Sequence, residues 1–147
     1  MKRPTSLLGP VLSLAVGAVL VAGCGGPVGP MPGFALEGPP AMQPVQNFLF
    51  ARDLSTVDLE VRPSAPFSVR LWLVERAGRI YVSGPSWSFW VHGLRQAPDT
   101  RILLGAEIYE VRAVEVTDPA EREGVGESGV VFRLDPRPTP EVAQEGP

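Results

Sequence analysis

The placement of proline and glycine constrains this chain more than any other feature. The two residues number 33 of 147, and the prolines crowd into residues 24–44 and 136–147. Proline fixes φ and gives up a backbone donor, so neither stretch can run through the interior of a sheet or a helix. The foldable part is therefore expected to be residues 45–135, about ninety residues, which suffices for one small core and leaves no room for a second.

The first 23 residues have the three-part layout of an export signal: a positive Met1-Lys2-Arg3, an apolar run from Leu7 to Val21, and small residues after it. Pro10 and Gly17 interrupt the run, which is shorter than the roughly 20 residues of a comfortable membrane span, so cleavage is the better reading than an uncleaved anchor helix. The segment Leu20-Val21-Ala22-Gly23-Cys24 resembles the lipobox of bacterial lipoproteins. That resemblance implies cleavage between Gly23 and Cys24 and a thiol that takes a diacylglyceryl group. Palmitate-type acyl chains would then tie the protein to a membrane, each buried CH₂ contributing about 0.8 kcal/mol. Gly25 stands where an aspartate would resemble an inner-membrane retention signal. The expected address is the outer membrane of a two-membrane envelope, or otherwise the outer face of the cytoplasmic membrane.

Cys24 is the only cysteine, which excludes an intramolecular disulfide and a metal site built from several thiolates. Loss of Lys2 and Arg3 with the leader takes the formal charge from -3 to -5. The twelve arginines are scattered among acids instead of forming a stripe, so nucleic acid is not an expected partner. Residues 24–44 read as a partly extended tether. Phe34, Leu36 and Met42 are its only large apolar residues beyond Met31.

Within the foldable part, Thr56 to Arg62 alternates Val57, Leu59 and Val61 with Asp58, Glu60 and Arg62, the period of a half-buried strand. Phe67 to Glu75 and Arg79 to Ser83 form a hairpin about Arg76-Ala77-Gly78. Trp87, Trp90, Val91 and Leu94 then fall at helical spacing after a serine cap at Ser88. Arg101 to Leu104 and Glu107 to Thr117 make a second hairpin about Gly105-Ala106. The polar positions of its long arm slip phase, which suggests a bulge or a bend. Asp118-Pro119 opens a short helix, Val130 to Leu134 is the last strand, and the tail from Arg137 reads as disordered. The fold class expected is mainly β, a small barrel of about six strands with one or two short helices.

Three pieces of this domain are similar to the split β-barrel of flavin- and deazaflavin-dependent oxidoreductases related to pyridoxamine phosphate oxidase. They are the hairpin Val74 to Val82, the helix Trp90-Val91-His92-Gly93-Leu94 with Pro98, and the long strand from Glu107 to Thr117-Asp118-Pro119. The resemblance spans residues 56–134 and implies FMN or deazaflavin as cofactor, with a homodimer completing the site. The family's Arg-Lys-Ser-Gly-like turn corresponds here to Arg62-Pro63-Ser64-Ala65-Pro66, where the lysine and glycine are absent and two prolines remove backbone donors. Gly93 stands where the family has asparagine.

Candidate cofactor residues are Arg62, Ser64, Ser83, Ser86 and Arg95 at a phosphate, with Trp87 and Trp90 at a ring. Trp72, Trp87 and Trp90 are otherwise expected in the core. Gly124-Val125-Gly126-Glu127-Ser128-Gly129 fits G-x-G-x-x-G by letter, but it follows a helix and precedes a strand, so it reads as a flexible connection. His92, the sole histidine, is expected on the surface with no nucleophile beside it, so no catalytic residue is assigned. The leading expectation is a membrane-anchored, non-enzymatic binding or structural barrel without a metal site, with an envelope protein or ligand as partner. The alternatives are an exported split-barrel oxidoreductase and a transient role in assembly or maturation.

Overall fold

The computed structural model describes residues 31–42, 45–62, 64–126 and 129–137. The expected signal peptide, Gly23 and Cys24 at its cleavage point, and the tail beyond Arg137 lie outside the described residues.

Six strands, β1 (Thr56–Val61), β2 (Phe67–Arg76), β3 (Arg79–Gly84), β4 (Asp99–Leu104), β5 (Glu107–Glu115) and β6 (Val130–Pro136), close into an antiparallel barrel in the order β1-β2-β3-β6-β5-β4. Two helices, α1 (Phe89–Gln96) and α2 (Pro119–Arg122), and a 3-10 turn at Leu49–Asp53 complete it. This is the mainly β, six-stranded barrel that the alternating pattern predicts. Its inner face gathers Val57, Leu59 and Val61 of β1 with Ile102 and Leu104 of β4, Val111 of β5, and Phe132 and Leu134 of β6.

The two long strands make the turn of the barrel. β2 pairs with β1 over Phe67 to Trp72 and with β3 only from Leu73 onward. Likewise β5 pairs with β4 over Glu107 to Arg112 and with β6 over Val111 to Glu115. Each long strand therefore leaves one edge unpaired along half its length. The register of β5 is continuous in both ladders, so of the bulge or bend expected there the bulge does not occur, and the strand passes from β4 to β6 without one. Its phase slips because Tyr109, Val111 and Ala113 face the core, whereas Ile108 is buried on the other face.

Ile108 is covered by the segment expected to be a spacer. Residues 31–42 lie along the barrel: Gly33 exchanges backbone hydrogen bonds with Ser68 on the free edge of β2, and Pro39 and Ala41 do the same with Ile108 on the free edge of β5. Between these two attachments Leu36 is buried, while Phe34 and Met42 stay exposed. An unpaired edge leaves donors and acceptors without partners, and this strap satisfies them at both openings. The folded domain thus begins before residue 45.

Both barrel ends are plugged. Phe48 is fully buried, its ring 5.8 Å edge-on from that of Tyr109, and its N–H donates to Gly78 in the β2–β3 turn. That turn needs positive φ at both Ala77 (52°) and Gly78 (79°), as a two-residue hairpin of primed type does. At the other end α1 seats Trp90, Val91 and Leu94 on the core. Gly93 faces Val61 so closely that a Cβ would stand 2.1 Å from its Cγ1, which accounts for glycine at this position. Outside β3 and β6, Tyr81, Val116, Val125 and Val131 form a second small cluster beneath α2. Asp118 caps α2 as expected, accepting from the Ala120 N–H.

Candidate functional site

The alternation places Asp58, Glu60 and Arg62, in and just after β1, on the solvated side of a half-buried strand, and the structure corrects this for the first two. Asp58 is 6% exposed and Glu60 fully buried, because the strap crosses that face. Glu60 is the bracket that holds it. Its carboxylate accepts from the Leu36 N–H at 2.8 Å, from Arg101 at 2.7 and 3.1 Å, and from Arg62 Nε at 2.6 Å. Burial pushes the carboxyl up, but the hydrogen bonds from Arg101, Arg62 and the Leu36 N–H outweigh it and hold the group below the usual carboxylate range. Asp58 is met by a bidentate Arg70 at 2.7 and 2.9 Å.

This network decides the fate of the first phosphate candidate. Arg62 spends its Nε on Glu60, which ties its side chain to the strap bracket, although Glu60 shares its single charge between Arg62 and Arg101. Arg95, on α1, is likewise bound by both oxygens of Glu115 at 2.9 and 2.7 Å. Ser64 is exposed in the connection between β1 and β2. His92 is exposed on α1, as expected.

The remaining candidates converge where β2 and β3 part. Beyond the Leu73–Val82 pair the two strands diverge, and the chain from Gly84 to the start of α1 fills the gap incompletely. A cleft of about 450 Å³ opens there, lined by Pro32 of the strap, Phe67 and Val69 of β2, and Trp87, Ser88, Phe89 and Trp90. Beyond Trp87 lies a second cleft of about 480 Å³, lined by Ser83, Gly84, Pro85, Ser86, Trp87 and Gly129. Trp87 is shared, so the structure brings Ser83, Ser86, Trp87 and Trp90 together and leaves Arg62, Ser64 and Arg95 off both linings.

The tryptophans separate. Trp90 is 7% exposed and packs its ring 6.0 Å from Phe132, whereas Trp87 is 78% and Trp72 is 77% exposed. The expected core placement holds for Trp90 alone. Trp87 precedes the helix, which starts at Phe89, so the helical phase that grouped it with Trp90 does not apply. Ser88 occupies the N-cap without a side-chain hydrogen bond to the helix. Sequence reasoning missed Phe89, 86% exposed at the first position of α1, and Pro32, the strap's contribution. An aromatic residue at the start of a helix, on the side away from Trp90, was the available signal for Phe89.

A third cleft, lined by Thr117, Pro119, Arg122, Glu123, Gly124 and Gly126, borders the glycine-rich segment. There Val125 is buried and Arg122 donates to the Gly129 carbonyl at 2.7 Å, so the described residues of this connection are packed, where a flexible one was expected. On the same side Glu121 is drawn below the ordinary carboxylate range, first by Arg133 and then by Tyr81. No cluster of His, Cys, Asp and Glu among the described residues could hold a metal, and no helix there is long and apolar enough to cross a membrane.

The paired clefts offer an apolar wall for a flat or aliphatic group, with two serine hydroxyls beyond it. They offer no charge: none of the described residues lining either one is ionisable. A flavin phosphate carries close to two negative charges and requires convergent donors or cations. The ring of such a cofactor fits the wall, but its phosphate does not fit the lining.

No family model matches the chain, and no curated protein matches it. Among solved structures it is similar to a conserved hypothetical protein from Mycobacterium tuberculosis, with TM-score 0.56 and 17% identity over 67% of this chain and 85% of that one. A putative pyridoxamine 5'-phosphate oxidase from Listeria innocua aligns with TM-score 0.48 and 13% identity, over 56% of this chain and 84% of that one. The first likeness is one of fold: the chain shares its barrel with a protein whose activity its name leaves open.

Proposed function

We propose that this protein is a lipid-anchored component of the cell envelope whose barrel is a non-enzymatic binding module, with the aromatic cleft at Trp87 as its recognition surface. Anchoring rests on the lipobox-like Leu20 to Cys24. The observation that carries the binding role is the exposure of Trp87 and Phe89 around an apolar cleft. Soluble proteins seldom leave two large aromatics side by side in water unless a ligand or partner covers them. The described lining holds serine hydroxyls but no base to activate them and no charged group, which suits it to holding a ligand.

A second reading is favoured by the barrel architecture itself: a flavin or deazaflavin seated against Trp87 and Trp90, with Arg62, Ser64, Ser83, Ser86 and Arg95 around its phosphate. Glu60 and Glu115 already hold the two arginines, which counts against it.

The two readings part in one titration. The purified protein is mixed with FMN, riboflavin or a deazaflavin at tens of micromolar while visible absorbance is followed. The binding-module reading expects unperturbed spectra with all three, and a saturable shift would replace it with the cofactor reading. Mass spectrometry of the native protein tests the anchor separately, since an unmodified Cys24 would remove it.

A further inference from the structure

We infer that the aromatic rim of the cleft docks into the interfacial layer of a zwitterionic phospholipid bilayer, so that the barrel lies against the membrane with the β2–β3 opening facing it. This rests on the anchoring reading above and names what covers the recognition surface.

The first support is the length of chain between lipid and fold. Because Gly33 is fixed to Ser68 on β2, the strap leaves little free reach. Pro32, in the cleft lining, stands eight residues after Cys24, a span of at most about 28 Å even when fully extended. A free spacer through residue 44 would have allowed the domain to stand well clear of the membrane. The docked strap removes that freedom.

The second support is the chemistry of the rim. Trp87 and Phe89 border the cleft, and Met31 and Phe34 flank Pro32 on the strap, all four exposed. Indole and phenyl groups favour the headgroup boundary, where the ring is part-buried and an indole N–H still finds an acceptor. The lining is uncharged, and the mature chain's formal charge of -5 would not draw it to anionic lipid, so a zwitterionic surface is the fitting one. A short link holds the rim at an effective concentration on the order of millimolar. Contacts too weak to bind a free protein are then populated.

The test uses the native acylated protein in phosphatidylcholine vesicles whose acyl chains carry bromine near the headgroup end. With three tryptophans in the chain, docking quenches about one third of the indole emission. Trp87→Phe should abolish the quenching. Trp72→Phe should keep it, since Trp72 lies five residues along β2 from Phe67, roughly 17 Å away. Unquenched wild type, or equal quenching in Trp87→Phe, overturns the docking. Cross-linking of Trp87-bearing faces into dimers on unquenched vesicles overturns it too, by giving the rim to a second copy. Should the mass show Cys24 unmodified, the anchoring reading fails by itself. The same quenching is then read with the sole thiol coupled to a maleimide lipid, where the outcomes keep their meaning for the rim.

Discussion

Two faces of the barrel reverse the usual rule of polar outside and apolar inside, and they do so for opposite ends. On the strap face, charged Asp58 and Glu60 are buried, and each has its arginine partners in place. On the cleft face, Trp87 and Phe89 are left in water although a core lies directly behind them. The first inversion is internally complete, since no buried side-chain donor or acceptor among the described residues lacks a partner. The second is incomplete within the chain. Buried polar groups with every bond made belong to the stability of a fold, whereas exposed aromatics contribute little to it and call for something outside.

If that contrast is right, the strap face carries the largest mutational cost. Glu60→Ala removes the one acceptor shared by Arg101, Arg62 and the Leu36 N–H. Breaking a buried ion pair typically costs 3 to 5 kcal/mol, and about 3 is expected here because both arginines keep some access to water. The midpoint of urea unfolding reads it. A cost below about 1 kcal/mol, the range of a surface pair, would make this face an ordinary solvated one.

Leu36→Ala comes next. Its side chain is 4% exposed, and truncating a buried leucine costs about 2 kcal/mol at the low end of the observed range. The loss should appear as earlier hydrogen exchange at the amides of Gly33, Leu36, Ala41 and Ile108, all of which bond across the strap. The amides of β3 and β6 should keep their protection. Equal loss in both sets would show that strap and barrel open as one unit.

The acid limb gives a smaller and differently shaped effect. Glu60 titrates below its ordinary value of 4.5 in the folded protein, so its ionised form is favoured by folding. The stabilisation is complete above the unfolded value and disappears as pH falls through the folded one. Glu60→Gln should therefore differ most from wild type near neutrality, by about 1 to 2 kcal/mol for lost charge-assisted bonds. The gap should narrow below pH 4.5, measured as urea midpoints across that range. A gap that stays constant with pH would mean that the carboxylate's charge is not what the arginines hold.

The strands of both faces were legible in the sequence, but the inversions were not. Alternation in β1 and β4 reports which side chains point to the core, and those positions are the ones found buried inside. It does not report what lies over the opposite side. The covering segment has no period to read, because it docks mainly through backbone groups of Gly33, Leu36, Pro39 and Ala41, with Leu36 its one fully covered large side chain among the described residues. An acid at Glu60 flanked by Arg62 was a trace of the bracket, yet Arg101 joins it from 41 residues away. The cleft was half legible. Trp90 sits in the helical phase that predicts its burial, whereas Trp87 falls one residue before the N-cap, where that phase has no meaning.

The cleft face should be nearly silent in stability, and this is the sharpest way to break the contrast. Trp87→Ser and Phe89→Ser each remove a large side chain, but those side chains are 78% and 86% exposed, so little apolar area returns to water on unfolding. Each should shift stability by under about 0.5 kcal/mol, within the range of surface substitutions. Trp90→Ser, one helical position on and 7% exposed, is the control that must unfold the protein far more easily. If Trp87→Ser proves as costly as Trp90→Ser, its indole is part of the core in solution. The cleft then has no uncovered rim, and neither a ligand nor a membrane is needed to account for it.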